Sequence, residues 1–420
     1  PGGTFDIQIR GLSTFESGVN PLYVVDGQQL EDIDNLNPDD IETMEVIKDG
    51  ATAAIYGSKA ANGVILITTK KGKKGELKVD VTSISGFNSL VGDVRVSNSR
   101  QRQRYDILKA PNGIPTNTIE ADTMSLMRAN SFDLQKLVTR TGIRQQTNVS
   151  VSGANDRANY YWNTVVTDEQ GIVLNSKFKR LTSMLKLDLN ISEKFTIGSK
   201  INLTYDEQKG INEDQVLQQI VERIPYYPVF EPDGSYSQEF GGRANPLAET
   251  TATNVSRNYR AQVFSYAQYE ILPKLKIKST LGINYRFNKN VVFNPIITVN
   301  PTTPIPTGRE RYNNSYDIQQ ENFLNYRNTF GNHSFAMFAG MQIQDYRREN
   351  FDIGANFLND YVQTFNNYDP LIFTINSSTM NSENANFSTF AGFNYDFKGK
   401  YLVSGTYRRD GSSRFGANNK

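Results

Sequence analysis

From residue 76 onward the chain alternates apolar and polar positions over long runs. In FKRLTSMLKLDLN, Leu181, Ser183, Leu185, Leu187 and Leu189 share one face, while Lys186 and Asp188 lie on the other. In KFTIGSKINLTYD, Phe195, Ile197, Ile201, Leu203 and Tyr205 oppose Thr196, Lys200, Asn202, Thr204 and Asp206. KLKIKSTLGINYRF repeats the pattern, with Leu275, Ile277, Leu281, Ile283, Tyr285 and Phe287 against Lys274, Lys276, Lys278, Thr280, Asn284 and Arg286. Such runs predict strands of roughly thirteen residues with one apolar and one polar face. That exceeds the five or six residues usual for a soluble strand and suits a tilted, membrane-spanning one.

Eleven such segments are expected, near 76–88, 144–153, 157–168, 178–190, 194–206, 258–271, 274–287, 316–331, 333–346, 384–397 and 400–410. Their connections alternate in length. Short ones fall at 153–156, 190–194, 271–274, 330–333 and 397–400; long ones fall at 89–143, 207–257, 288–315 and 347–383, with a shorter member at 169–177. A soluble sandwich has little reason to sort its loops into two alternating classes, or to give every long strand an apolar face with no second sheet to cover it. Outer-membrane barrels do both, with short periplasmic turns and long extracellular loops. Aromatics near strand ends (Tyr205, Tyr259, Tyr269, Phe287, Tyr346, Phe397 and Tyr401) fit interfacial girdles. An odd strand count is not a complete bacterial barrel, so further strands are expected outside this sequence.

Residues 1–75 differ in texture. FDIQIRG, PLYVVDG, IETMEVIKD and GVILITT predict short strands, with a small helix around Ala51 to Tyr56. The stretch KDGATAAIYGSKAANGVILITTKKG, Lys48 to Gly72, has small residues that permit close backbone packing, followed by a run, Val64 to Thr68, suited to a strand buried on both faces. The expected organisation is a mixed α/β unit at 1–75, incomplete at its N-terminus, followed by barrel strands over 76–420.

Composition removes alternatives. There are 45 Lys plus Arg against 44 Asp plus Glu, which gives no general reason to expect nucleic acid. With no Cys and one His, His333, disulfides, thiolate zinc sites and His-cluster metal sites are ruled out, no cofactor is indicated, and an enzyme is not expected. His333 sits in the turn-like FGNHSF and reads as a solvated turn residue. No apolar run reaches the length of a membrane helix. The first residue is Pro, so the start of translation is expected upstream.

The segments IRG at 9–11, PLYVVDG at 21–27, LNPDDIETMEVIKDGATAAIYGSKAANGVILITTKKGKKG at 36–75 and RRDGSSRFG at 408–416 resemble the TonB-dependent outer-membrane transporters, and within them the SusC/RagA branch of Bacteroidetes. The resemblance implies an N-terminal plug inside a barrel of about twenty-two strands, of which the first eleven are here. It implies multi-pass residence in outer-membrane lipid and active import of a large nutrient, oligosaccharide or peptide, driven by the TonB–ExbB–ExbD complex. A SusD-like surface lipoprotein is the implied lid. The alternative is a transporter-fold scaffold subunit of an outer-membrane complex.

Within that picture Arg10, followed by Gly11, is a candidate for a plug-to-barrel ion pair with Asp188, Asp206 or Glu270, or for a pair within the plug. Lys48, where relatives often carry Arg, would make a less directional latch than a guanidinium fork. Tyr56, Gly57, Asn62 and Gly63 are read as plug-fold residues, as are Asp26 and Gly27, which close a tight turn. The acidic cluster from Glu31 to Asp40 lacks the spacing of a calcium loop and reads as a solvated turn. Lys70 to Gly75 reads as a solvated periplasmic linker. Tyr226, Tyr227, Phe230 and Tyr236 are candidate ligand or lid contacts, against the alternative that they pack the loop on itself. Leu126, Met127, Leu134 and Leu137 of the first long loop read as packing.

Overall fold

The computed structural model describes residues 21–47, 56–57, 60, 62–75, 77–92, 94–109, 132–211, 213–225, 227–237, 245–298, 305–365 and 376–415. Two sheets account for most of them. The first has four strands, β1 Leu22–Val25, β2 Gln28–Leu30, β3 Ile41–Ile47 and β4 Val64–Thr69, in the order β2-β1-β4-β3. β4 runs parallel to β1 and antiparallel to β3, so both its edges are hydrogen-bonded. Its side chains feed two cores. Ile65 and Ile67 join Tyr23, Val25 and Leu30, while Val64 joins Leu22, Val24 and Ala60. A strand apolar on both faces is what an unbroken VILIT run dictates. The three-residue β2, with the sequence QQL, carries no periodic signal and was not expected.

The second sheet is an eleven-stranded antiparallel meander in strict chain order: β5 Lys78–Asn88, β6 Gly142–Ala154, β7 Ala158–Gln170, β8 Lys177–Asn190, β9 Phe195–Gly210, β10 Thr253–Leu272, β11 Leu275–Asn294, β12 Thr307–Phe330, β13 His333–Asn356, β14 Asn376–Phe397 and β15 Tyr401–Ser412. Every expected barrel segment is a strand, but several run longer than the alternation suggests, while the strand expected at FDIQIRG and residues 51–55 of the expected small helix lie outside the described residues. β12 and β13 each have 24 residues, and the loops expected at 288–315 and 347–383 shrink to 295–306 and 357–375. The reason is physical. Apolar alternation is required only where one face meets lipid, whereas the backbone ladder continues beyond it with polar residues on both faces, as in Arg309-Glu310-Arg311.

The outward faces carry aromatic belts. Tyr205, Tyr259, Phe287, Tyr312 and Phe351 follow one another across β9 to β13 with ring centroids 5.0 to 6.3 Å apart. A lower belt holds the pair Phe195–Tyr269 and, further along, Phe335, Tyr395, Phe397 and Tyr401. Phe195 and Tyr205 are ten residues apart on β9, roughly 33 Å along the strand and roughly 25 Å along the normal at a tilt of about 40°, the height of an outer-membrane apolar band. Tyr346 is a correction to the girdle: it shares the face of Gln344, turned toward the plug. His333 is not simply solvated, since its ring lies 4.8 Å from Phe397 and its Nδ1 is hydrogen-bonded to the Tyr395 hydroxyl at 2.8 Å. Among the described residues no helix is long and apolar enough to cross a membrane, which says nothing about a barrel.

Candidate functional site at the plug and lumen

The hairpin β1–β2 turns at Asp26 and Gly27, whose φ angles of 52° and 98° give the two left-handed positions of a two-residue hairpin loop. Asp26 aims its carboxylate at the wall. It accepts from the backbone N–H and hydroxyl of Thr69 at 3.0 and 2.6 Å, from Lys186 Nζ at 3.1 Å and from Lys200 Nζ at 2.9 Å. Lys186 and Lys200 are paired directly across β8 and β9. Like charges placed opposite each other repel, and one plug carboxylate relieves both. Burial pushes the Asp26 carboxyl up, but the ammoniums of Lys200 and Lys186 outweigh it and, with the Thr69 hydroxyl, hold it well below the usual carboxylate range.

The motif recurs one hairpin further on. Arg260 and Arg286 face each other across β10 and β11, and Asp32 of the plug accepts from both, at 3.0 and 2.6 Å. Burial raises the Asp32 carboxyl, and Arg286 and Arg260 reverse that to a net lowering. Around these two clamps the wall also holds plug backbone and amides. Arg180 donates to the Asp34 carbonyl at 3.1 Å, Asn35 to Gln262 at 2.8 Å, and Gln319 to the Gln29 carbonyl at 3.0 Å. Asp40 accepts from the Tyr161 hydroxyl at 2.9 Å and from Asn163.

These contacts correct one expectation. The segment from Glu31 to Asp40 is no solvated turn: Asn35 and Asp40 are buried, and Asp32 is clamped in the wall. The linker Lys70 to Gly75 is solvent-exposed as expected except at Gly72, which docks on the wall. Gly72 exchanges two hydrogen bonds with Asn159, and a Cβ there would meet the Gly153 carbonyl oxygen at 2.0 Å. At the two clamps the plug supplies carboxylates and the wall supplies cations, whereas Lys74 pairs with Asp156 of the wall; Asp188, Asp206 and Glu270 bond Tyr266, Asn258 and the Lys274 N–H within the wall itself. Arg10, Gly11 and Lys48 lie outside the described residues.

The opposing positions 186 and 200, and 260 and 286, were available from the turns that set the hairpin registers, and two cations facing each other signal a missing counter-charge. Gly57, with φ of 81°, abuts Arg408 of the RRDGSSRFG stretch, where a Cβ would come within 3.0 Å of Nε. Arg408 is fixed there by Asp410 at 2.8 Å and Gln342 at 3.1 Å. Gly63, at φ 97°, accepts from the Leu22 N–H and starts β4; Tyr56 packs against the core of Leu22, Val24, Ala60 and Val64, and the half-buried Asn62 precedes Gly63.

At the rim, the two longest loops and the β7–β8 connection share one core of Leu134, Val138, Val173, Ile211, Val216, Ile220 and Val229. It is built from α1 Leu134–Val138, α2 Glu213–Glu222 and α3 Pro246–Glu249, with Leu137 packed at its edge. Phe230 and Tyr236 stack on each other at 5.5 Å within their own loop, and Tyr227 is half-buried; Tyr226, Leu126 and Met127 lie outside the described residues. Glu249, in this core, has an Oε1 with no hydrogen-bond partner among the described residues, and burial pushes its carboxyl up to about 7.

Comparison with known proteins agrees with this architecture. Residues 1–64 match the family described as "TonB-dependent Receptor Plug Domain". The whole chain is 44% identical to "TonB-dependent receptor P39" of Formosa agariphila, covering 40% of that protein, and 29% identical to "TonB-dependent receptor SusC" of Bacteroides thetaiotaomicron, covering 44% of it. The RagAB peptide transporter structure matches 99% of the chain and 51% of its own with a TM-score of 0.81 at 21% identity, which shows a shared fold. The chain thus spans well under half the length of the two curated relatives it matches here.

Proposed function

We propose that this chain, homologous to the TonB-dependent receptors and to SusC among them, is the plug and first barrel strands of an outer-membrane importer of a large polar nutrient. The observation that carries the reading is the pair of clamps by which Asp26 and Asp32 of the plug satisfy opposed cations on the polar face of a meander whose other face is apolar. A lumen wall bearing unpaired like charges would be unstable without the plug, and a plug held by ion pairs and amides instead of an apolar seam can be displaced without exposing a large apolar core. Displacement needs work, which in this reading comes from a TonB–ExbB–ExbD complex. The folded rim core of α1 to α3 offers a rigid platform on which a SusD-like surface lipoprotein would close.

The test is genetic. The full-length gene is deleted and restored in its host, and growth is measured on oligosaccharides and on peptides as sole nutrients, with and without a functional TonB. Loss of growth on one nutrient class, restored only when TonB is present, supports import. Unchanged growth on all of them, with loss of a neighbouring outer-membrane protein from the envelope, overturns it in favour of a scaffold.

A further inference from the structure

Register extends the lumen face beyond the plug. On β12, Gln319 touches the plug backbone, and the same face continues through Asp317 to Arg311 and Arg309; opposite them on β13 it runs through Gln344, Tyr346, Arg348 and Asp352. Above Gln319 this wall therefore carries Arg309, Arg311 and Arg348 against Asp317 and Asp352, an excess of cation. Between β11, β12, β13 and β14 lies a cavity of about 740 Å³ lined by Val292, Asn294, Arg309, Arg311, Asp352 and Ser378, among others.

Asp352 organises the two arginines in it. Arg309 presents its fork, with Nε 2.7 Å from Oδ1 and Nη2 on Oδ2, whereas among the described residues Arg311 reaches Oδ2 only through Nε, at 3.0 Å. One carboxylate neutralises one guanidinium of the two. The Arg311 geometry leaves its terminal nitrogens as a second, parallel pair of donors, the arrangement that matches a carboxylate or sulfate edge-on. The strand ends behind the cavity are braced by Phe293 stacked on Phe357 at 5.7 Å, with Phe365 against Phe357, so the frame is held before any ligand arrives.

Amides recur along the same face. Asn288 donates to Asn258 at 2.6 Å and accepts from Asn313 at 3.2 Å, and Asn290 donates to Asn254 at 2.9 Å, all on the lumen face. Rows of carboxamide donors and acceptors match the paired hydroxyls of a sugar ring, while the apolar lining of the cavity consists of short side chains such as Val292 and Ala355. We infer that the lumen mouth holds a subsite for an anionic oligosaccharide, with Arg311 gripping its carboxylate or sulfate and Arg309 and Asp352 holding that guanidinium in place. This assignment rests on the import reading and narrows its cargo.

The test is equilibrium binding to the full-length receptor in detergent, with four probes of matched length: a uronate oligosaccharide, a sulfated oligosaccharide, a neutral oligosaccharide and an acidic peptide. An anionic sugar is expected to bind more tightly than the neutral one, more weakly as salt rises, and about 10- to 100-fold more weakly to Arg311→Gln. Arg311→Lys, which keeps the charge without the fork, is expected to fall between, and guards against a folding defect in the glutamine variant. The two sugar probes tell carboxylate from sulfate. Equal binding to wild type and Arg311→Gln overturns the subsite, as does failure of both anionic sugars to saturate. Tight, Arg311-dependent binding of the acidic peptide overturns the sugar assignment. Because binding is read without energised transport, any of these failures leaves the growth test of import standing.

Discussion

Lys186 and Lys200 stand directly opposite each other on neighbouring strands of the wall, and both ammoniums converge on the carboxylate of Asp26 in the plug. Neither lysine is placed for its neighbour. The pair makes sense only with a third residue that arrives from another sheet some 160 positions earlier in the chain.

Asp26→Asn is therefore expected to be far more disruptive than a surface carboxylate change. Lys200 and Asp26 are each about nine-tenths buried as side chains, so removing the carboxylate leaves buried cations unpaired, at a cost on the order of 3–5 kcal/mol. Hydrogen exchange at β1 and β4 in the full-length protein should accelerate, and Lys200→Met should recover part of the loss in the Asp26→Asn background. Unchanged exchange would show that the clamp does not seat the plug.

Gly72→Ala tests the linker's docking on the wall. With the Gly153 carbonyl oxygen 2.0 Å from the added Cβ, backbone must move, and a cost of roughly 1–3 kcal/mol is expected. The measurement is protease cleavage within 70–75 of the folded protein, which should be low in wild type and rise in the variant; equal cleavage of the two would show that the linker is free of the wall to begin with.

The rim core should loosen with rising pH. Burial lifts the Glu249 carboxyl to about 7, above its value in an unfolded chain of about 4.3. Its contribution is fully present below the unfolded value and is lost as pH climbs through the folded one, so local stability of α2 and α3 falls between about pH 4.5 and 7. Corrected for intrinsic rates, hydrogen exchange there should increase across that window in wild type and stay flat in Glu249→Gln. A flat wild-type profile would contradict the assignment.

The two faces of β9 should respond oppositely to charge. Ile201 lies between the aromatic belts on the outward face, and Ile201→Arg is expected to destabilise by roughly 2–4 kcal/mol, read as loss of the heat-modifiable folded band on a gel. Gln208→Arg, at an exposed position of the lumen face opposite Ser256, should retain that band.

Much of this was legible in the sequence, because lipid imposes a period of two over long runs and outer-membrane topology sorts loop lengths. Leu181 to Leu189 and Phe195 to Tyr205 announced their strands and faces, and Val64 to Thr68 its burial. What was not legible depends on which wall residue meets which plug residue. The Glu31 to Asp40 segment looks solvated by composition, and only the barrel around it supplies Arg260, Arg286, Tyr161 and Asn163 as partners. Strand ends were missed for a different reason: beyond the belts the lipid-facing requirement ends, so the mixed run from Asn288 to Asn294 and the polar run from Thr307 to Arg311 carry no sustained apolar alternation. β2 was too short to show a period.

The central claim is that a charged plug seals a membrane pore and is held there by Asp26 and Asp32. Planar-bilayer conductance of the full-length protein tests it most directly. Wild type should be nearly silent, and the Asp26→Asn, Asp32→Asn double variant should show frequent large openings that approach those of a plug-deleted barrel. A wild-type protein as conductive as the plug-deleted one, or a double variant as silent as wild type, would contradict it.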